Sequence, residues 1–178
     1  MKKVIALVLT GFLLVGAGQA IKNSREGKLV EKTNKIKIFD FASGKVIEMD
    51  KYLKTEAELK KELPPDVCFI TRQKGTERAF SGKYLDNHKA GIYKCVVCGI
   101  DLFSSDSKFE SGTGWPSYFK PVSELNIKEI ADESYGMIRT EVTCARCGSH
   151  LGHVFADGPK PTGKRFCINS AALQFVSK

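Results

Sequence analysis

Two copies of the pattern C-x-x-C-G, Cys95-Val96-Val97-Cys98-Gly99 and Cys144-Ala145-Arg146-Cys147-Gly148, constrain this chain more than any other feature. Two thiolates three positions apart can reach one metal ion from a single tight turn, and the glycine that follows permits the positive φ closing such a turn. Two of these knuckles complete a tetrahedral site, so Cys95, Cys98, Cys144 and Cys147 are expected to hold one structural Zn2+. A disulfide framework and a thioredoxin-like C-x-x-C are the competing readings. Duplication with matching glycines favours zinc.

The chain has 178 residues, 42% of them hydrophobic and 27% charged, which fits one ordinary globular domain. Its formal charge of +8 comes from lysines scattered along the chain, with no basic arm or tract and no aromatic interleaving, so no nucleic-acid partner is expected. Lys2 and Lys3, the apolar run from Val4 to Val15 and the small residues up to Ala20 have the layout of a signal peptide over residues 1–20. The run is shorter than the roughly 20 apolar residues that span a bilayer. An exported protein, periplasmic or secreted, is therefore expected, touching a membrane only through that signal.

Residues 21–51 form a basic extension in which Ile36 to Phe41 and Lys45 to Met49 flank Ala42-Ser43-Gly44 like a small hairpin. Residues Glu56 to Leu63 read as a short helix stopped by Pro64-Pro65. The domain proper occupies residues 52–178. Short runs rich in β-branched and aromatic residues follow, at Cys68 to Thr71, Gly91 to Val97, Tyr135 to Thr143 and Arg165 to Ile168. Their spacing predicts a mainly β, antiparallel fold with a few short helices.

With four cysteines assigned to metal, Cys68 and Cys167 remain. Cys167 lies in Arg165-Phe166-Cys167-Ile168-Asn169, which reads as a strand. Its period of two puts Arg165, Cys167 and Asn169 on one face and leaves Phe166 and Ile168 for the other. A cation beside a thiol favours the thiolate, so Cys167 is the expected nucleophile, with a lowered pKa. Directly after the second knuckle come His150 and His153, in Ser149-His150-Leu151-Gly152-His153, expected to act as an acid and its hydrogen-bonding partner. The single tryptophan, Trp115, sits in the loop Ser111-Gly112-Thr113-Gly114-Trp115-Pro116-Ser117, where it could wall an apolar pocket.

Together with Gly75-Thr76-Glu77-Arg78-Ala79-Phe80-Ser81-Gly82, these motifs make the run from Tyr52 to Val176 resemble the type B methionine sulfoxide reductases, specific for the R epimer. The resemblance implies two antiparallel β-sheets forming a sandwich or open barrel, and a structural zinc remote from the catalytic face. It implies that Cys167 attacks the sulfoxide sulfur and becomes a sulfenic acid, with the oxygen protonated through His153 and His150. Trp115 would receive the S-methyl group, Arg165 and Asn169 would polarise the thiolate and the oxygen, and Asp157 and Glu77 would orient the polar groups. Oxidised proteins or peptides are the implied substrates, and a thioredoxin-like protein the implied electron donor.

One position departs from the pattern. Many members of the family carry a resolving cysteine in the loop before the tryptophan, where this chain has Thr113. Cys68 is the remaining candidate for resolving the sulfenic acid, with direct reduction by an external thiol as the alternative. The rival from another class is an exported zinc-ribbon binding module without catalysis, which leaves the Cys167 run and the histidine pair without a role.

Overall fold

The computed structural model describes residues 34–178; the expected signal peptide at 1–20 and residues 21–33 of the extension lie outside the described residues. Strands β1 (Lys35–Asp40) and β2 (Lys45–Asp50) form the expected antiparallel hairpin. Helix α1 (Glu56–Glu62) begins at a capping box, in which the Thr55 hydroxyl accepts from Glu58 N–H and the Glu58 carboxylate accepts from Thr55 N–H.

The proline pair ends α1 but also starts a second helix, α2 (Pro65–Gln73), so the strand expected at Cys68 to Thr71 is helical. Proline suits the first helical turn, because its missing N–H has no intrahelical partner there and its φ is already set. Val67, Cys68, Ile70 and Thr71 are the buried residues of α2. That i, i+1, i+3, i+4 grouping is a helical stripe, which over so short an apolar run looks like a strand in the sequence.

Nine further strands follow among the described residues: β3 (Gly91–Cys95), β4 (Asp101–Ser104), β5 (Lys108–Phe109), β6 (Ser117–Tyr118), β7 (Ile127–Asp132), β8 (Arg139–Cys144), β9 (His150–Phe155), β10 (Arg165–Ile168) and β11 (Leu173–Ser177). They make a six-stranded sheet ordered β5-β6-β10-β9-β8-β7 and a three-stranded sheet ordered β11-β3-β4, every pairing antiparallel. The mainly β, antiparallel expectation holds, with the hairpin as a small third sheet. The strand expected from Tyr135 starts only at Arg139, because residues Ser134–Gly136 form a 3-10 turn.

Aromatic side chains from both large sheets share the core. Tyr93 and Phe103 come from β3 and β4, Tyr118 and Phe166 from β6 and β10, and all four are fully buried. Phe103 stacks on Tyr118 with centroids 4.4 Å apart, and Tyr93 meets Tyr118 edge-on at 5.3 Å. Phe166 and Ile168 are thus committed inward, and strand alternation turns the Cys167 side chain to the opposite face.

The hairpin is fastened at both ends. Buried Asn126 donates from Nδ2 to the carbonyls of Phe39 (2.8 Å) and Asp101 (2.7 Å) and accepts from Phe39 N–H at 2.7 Å. Arg146, inside the second knuckle, donates to the carbonyls of Asp50 (3.0 Å) and Cys98 (2.8 Å).

Candidate active site and metal cluster

The first knuckle hangs from the end of β3 and the second from the end of β8, so each large sheet supplies two cysteines. The four Sγ atoms lie within 4.8 Å of one another, with Cys95 3.6 Å from Cys147 and Cys98 3.4 Å from Cys144. These gaps far exceed a disulfide's roughly 2.05 Å and match the ~3.8 Å edge of a tetrahedron with ~2.3 Å metal–sulfur bonds. Gly99 and Gly148 take φ of 78° and 69°, and their N–H groups close the turns on the carbonyls of Cys95 and Cys144 at 2.9 Å. Thiols from Cys144 and Cys95 hold the Cys147 sulfur well below the ordinary thiol range, while Cys95 and Cys144 are themselves pushed well above it. The donor set fits a soft, four-coordinate cation.

The second knuckle runs straight into β9, which carries both histidines. Cys167 and His153 are Cα partners across β10 and β9, and Glu141 of β8 is the partner of His153 on its other side. Directly opposed residues share a face, so Glu141, His153 and Cys167 form one row across the sheet. This approach depends on Gly152, where a Cβ would run into the carbonyl oxygen of Cys167.

His153 Nε2 lies 2.8 Å from Asp132 Oδ2, and Arg139 donates to that same oxygen at 2.8 Å. Hydrogen bonds from Ser134 first, and then His153, hold the Asp132 carboxyl far below its usual range. His150 is buried, with Nδ1 2.8 Å from Glu141 Oε1 and Nε2 without a hydrogen-bonding partner. Burial pushes the His150 pKa down despite Glu141. Burial would raise the Glu141 carboxyl, yet the Lys74 ammonium 2.7 Å away and His150 outweigh it and leave it below its ordinary value. The consistent assignment is a neutral His150 donating from Nδ1 to a Glu141 carboxylate, with Nε2 as a free acceptor. The acid role expected for His150 therefore does not fit its surroundings. A cleft of about 410 Å³ holds both histidines, with Asp132, Glu141, Thr76 and Phe69 among its walls.

Cys167 is half-buried, and burial pushes its thiol above the ordinary value, although the Arg165 cation and the Thr113 hydroxyl oppose this. The lowered pKa expected from Arg165 is thus reversed. Part of the reason is that the guanidinium is already paired, donating from Nε and Nη2 to the two carboxylate oxygens of Asp157 at 2.9 Å each. A neutralised cation offers less to a neighbouring thiolate. Ser111 Oγ lies 2.8 Å from both Thr113 Oγ1 and Ser117 Oγ, and Ser117 is the Cα partner of Cys167 on β6.

Asn169 and Glu77 serve the frame. Asn169 Oδ1 accepts from Glu77 N–H, and its Nδ2 donates to the Leu151 carbonyl, both at 3.0 Å. These bonds fix the plane of the amide and leave the second Nδ2 hydrogen for the site. Glu77 accepts from the N–H groups of Ser170 (2.6 Å) and Ala171 (3.1 Å), capping the 3-10 turn after Cys167, while its carbonyl accepts from Trp115 Nε1 at 3.1 Å. Glu77→Gln places an amide against two donors, and a lost charge-assisted bond costs about 1.5–3 kcal/mol. Thermal melting should fall by several degrees; an unchanged melting point would show that the cap contributes nothing.

A family model described as the SelR domain matches residues 63–177. Proteins called peptide methionine sulfoxide reductase MsrB are similar to this chain over most of its length. That of Thiobacillus denitrificans is 54% identical over 125 residues, 70% of this chain and 95% of the relative. That of Methanosarcina barkeri is 58% identical over 125 residues, 70% of this chain and 88% of the relative. The chain belongs to the MsrB family. The knuckles, the histidine pair, Trp115 and Cys167 all lie inside the matched region, and the β1–β2 hairpin lies outside it.

No sequence motif points to Asp132, Glu141 or Lys74. Asp132 and Lys74 lie in no motif, and Glu141 would be found only by noticing a lone carboxylate on a strand whose next residue, Val142, is fully buried.

Proposed function

We propose that this protein reduces the R epimer of methionine sulfoxide in polypeptides, with Cys167 as nucleophile. The observation that carries the reading is the strand pairing of Cys167 with His153, a histidine that lines a cleft and whose imidazole is held by the Asp132 carboxylate. The Cys167 sulfur attacks the sulfoxide sulfur, and His153, oriented by Asp132, gives the oxygen a proton. The oxygen passes to Cys167 as a sulfenic acid, reduced methionine leaves, and two external thiols then return Cys167 and release water. Neutral His150, held by Glu141, presents Nε2 as an acceptor that orients a hydroxyl or water in the cleft. Trp115, fixed through Glu77, walls the site for the S-methyl group. The four knuckle cysteines bind Zn2+, which supplies structure and no chemistry.

Cys68 is buried, with Sγ 3.7 Å from the Leu59 carbonyl and 3.9 Å from that of Leu63, facing α1. Its placement favours direct reduction of the sulfenic acid by a thioredoxin-like donor over an internal disulfide. Residues 1–20 serve as an export signal in this reading, and an intact Met1 on the isolated protein would refute that part.

Turnover of separate R and S methionine-sulfoxide peptides tests the main claim. Strict R activity is expected, and Cys68→Ser should keep donor-coupled turnover within about twofold of the native rate. Equal use of both epimers would overturn the stereochemical assignment. Loss of donor-coupled activity alone in Cys68→Ser would reinstate Cys68 as the resolving residue.

A further inference from the structure

Phe80 has a backbone conformation that L side chains rarely adopt. Its φ is 63°, in the left-handed region where a residue bearing a Cβ is strained and persists only when its surroundings impose it. Here a hydrogen bond from Phe80 N–H to the Gly114 carbonyl at 2.8 Å holds it, beside a turn in which Ser81 Oγ donates to the Arg78 carbonyl at 2.7 Å. The ring lies against Gly114, where an added Cβ would stand 3.0 Å from its Cδ2 and Cε2. Burial of the ring would offset such strain. This ring instead remains 70% exposed. The described chain leaves most of it uncovered, so the fold holds a large apolar face out to solvent at a backbone cost.

The position of that face is informative. Gly114 immediately precedes Trp115, so the ring continues the surface assigned above to the substrate. Beyond the histidines, Phe69 is 50% exposed and walls the cleft, its ring against Gly75. Ile138 is 90% exposed on the loop between Asp132 and Arg139, the two groups that bracket His153. Apolar groups therefore occur beside the tryptophan loop, along the cleft wall and on the loop by Asp132. A free amino acid engaged at Cys167 has no side chain to offer to such a spread of contacts, whereas a polypeptide does.

We propose that Phe80 is a specificity determinant that docks an apolar residue of a polypeptide adjacent to its oxidised methionine. The proposal rests on the reductase reading above and adds the sequence context of the substrate. The docked residue packs on the exposed face of the ring and anchors the segment across the tryptophan loop, lowering KM for peptides so flanked.

The test compares wild type, Phe80→Gly and Phe80→Leu on three R-sulfoxide substrates: free methionine sulfoxide, a pentapeptide flanked by leucines and one flanked by serines. Glycine relieves the strained φ, so the variant should melt at or above the wild-type temperature, which separates the result from misfolding. Wild type is expected to favour the leucine-flanked over the serine-flanked peptide by about tenfold, mostly through KM. Phe80→Gly should bring that ratio close to one, with Phe80→Leu between them. Equal falls on all three substrates would overturn the proposal and make the ring a support for the Trp115 loop. An unaltered ratio would also overturn it. Sedimentation velocity provides a further check, since a wild-type dimer lost in Phe80→Gly would assign the face to a second copy of the chain. If the wild type reduced none of the substrates, the reductase reading itself would fall; activity with an unaltered ratio removes only the docking claim.

Discussion

Cys167→Ser is expected to lower kcat/KM on a peptide methionine-R-sulfoxide by roughly a thousandfold or more, because the hydroxyl cannot provide the polarisable anion that attacks sulfur. The fold should survive: Cys167 is half-buried, serine is nearly its size, and the Arg165–Asp157 pair and inward Phe166 are untouched. Coupled turnover assays with melting curves check both halves. Normal turnover by the variant would end the mechanism. The raised thiol pKa adds a pH signature in the native enzyme. A group with a raised pKa becomes anionic later, so alkylation of Cys167 by iodoacetamide should keep accelerating past pH about 8.5, the ordinary thiol midpoint. A plateau below neutrality would instead show that Arg165 prevails over burial.

Removing the metal should unfold the domain. Structural zinc in thiolate sites contributes about 10–16 kcal/mol to small folded peptides, comparable with the whole stability of a typical domain at about 5–15 kcal/mol. Here the ion would join the end of β3 in one sheet to the end of β8 in the other, and the second knuckle leads without a linker into β9 and its histidines. Stripping with a strong chelator, or Cys98→Ala, should abolish the cooperative melt and the activity together. Metal analysis, circular dichroism and turnover on one sample provide the check. A metal-free protein with an unchanged melt would show that the cluster is not structural, and a mapped Cys95–Cys147 disulfide would replace it with the covalent alternative.

What was legible in the sequence was what depends on local pattern. The knuckles announce themselves through spacing and glycines, and the strand Arg165–Ile168 through alternation, which also fixed the outward direction of Cys167. The helix carrying Cys68 was misread because four residues cannot distinguish a helical stripe from a strand when a proline pair is taken only as a stop. The way the site's polar groups are held is a different matter. Arg165, Asn169 and His150 each lie next to the chemistry in sequence, and part of their hydrogen-bonding capacity goes to Asp157, to Glu77 and Leu151, and to Glu141. Such commitments are made by tertiary pairing, on which proximity in sequence is silent. Asp132 is the converse: distant in sequence from every motif, it reaches His153 because β7 and β9 flank β8.

The docked hairpin bears on where this protein can be cut. The family match starts at residue 63, and a chain begun there would lose β1 and β2. Asn126, with no solvent access in the whole protein, would lose both partners on Phe39, and Arg146 would lose the Asp50 carbonyl while still tied to Cys98. Each forfeited bond is worth about 1 kcal/mol, and the freed arginine sits in the turn that sets the spacing of two thiolates. Anyone grafting this catalytic unit onto another protein should carry it from residue 34 onward, since the border drawn by kinship and the border drawn by mechanics do not coincide.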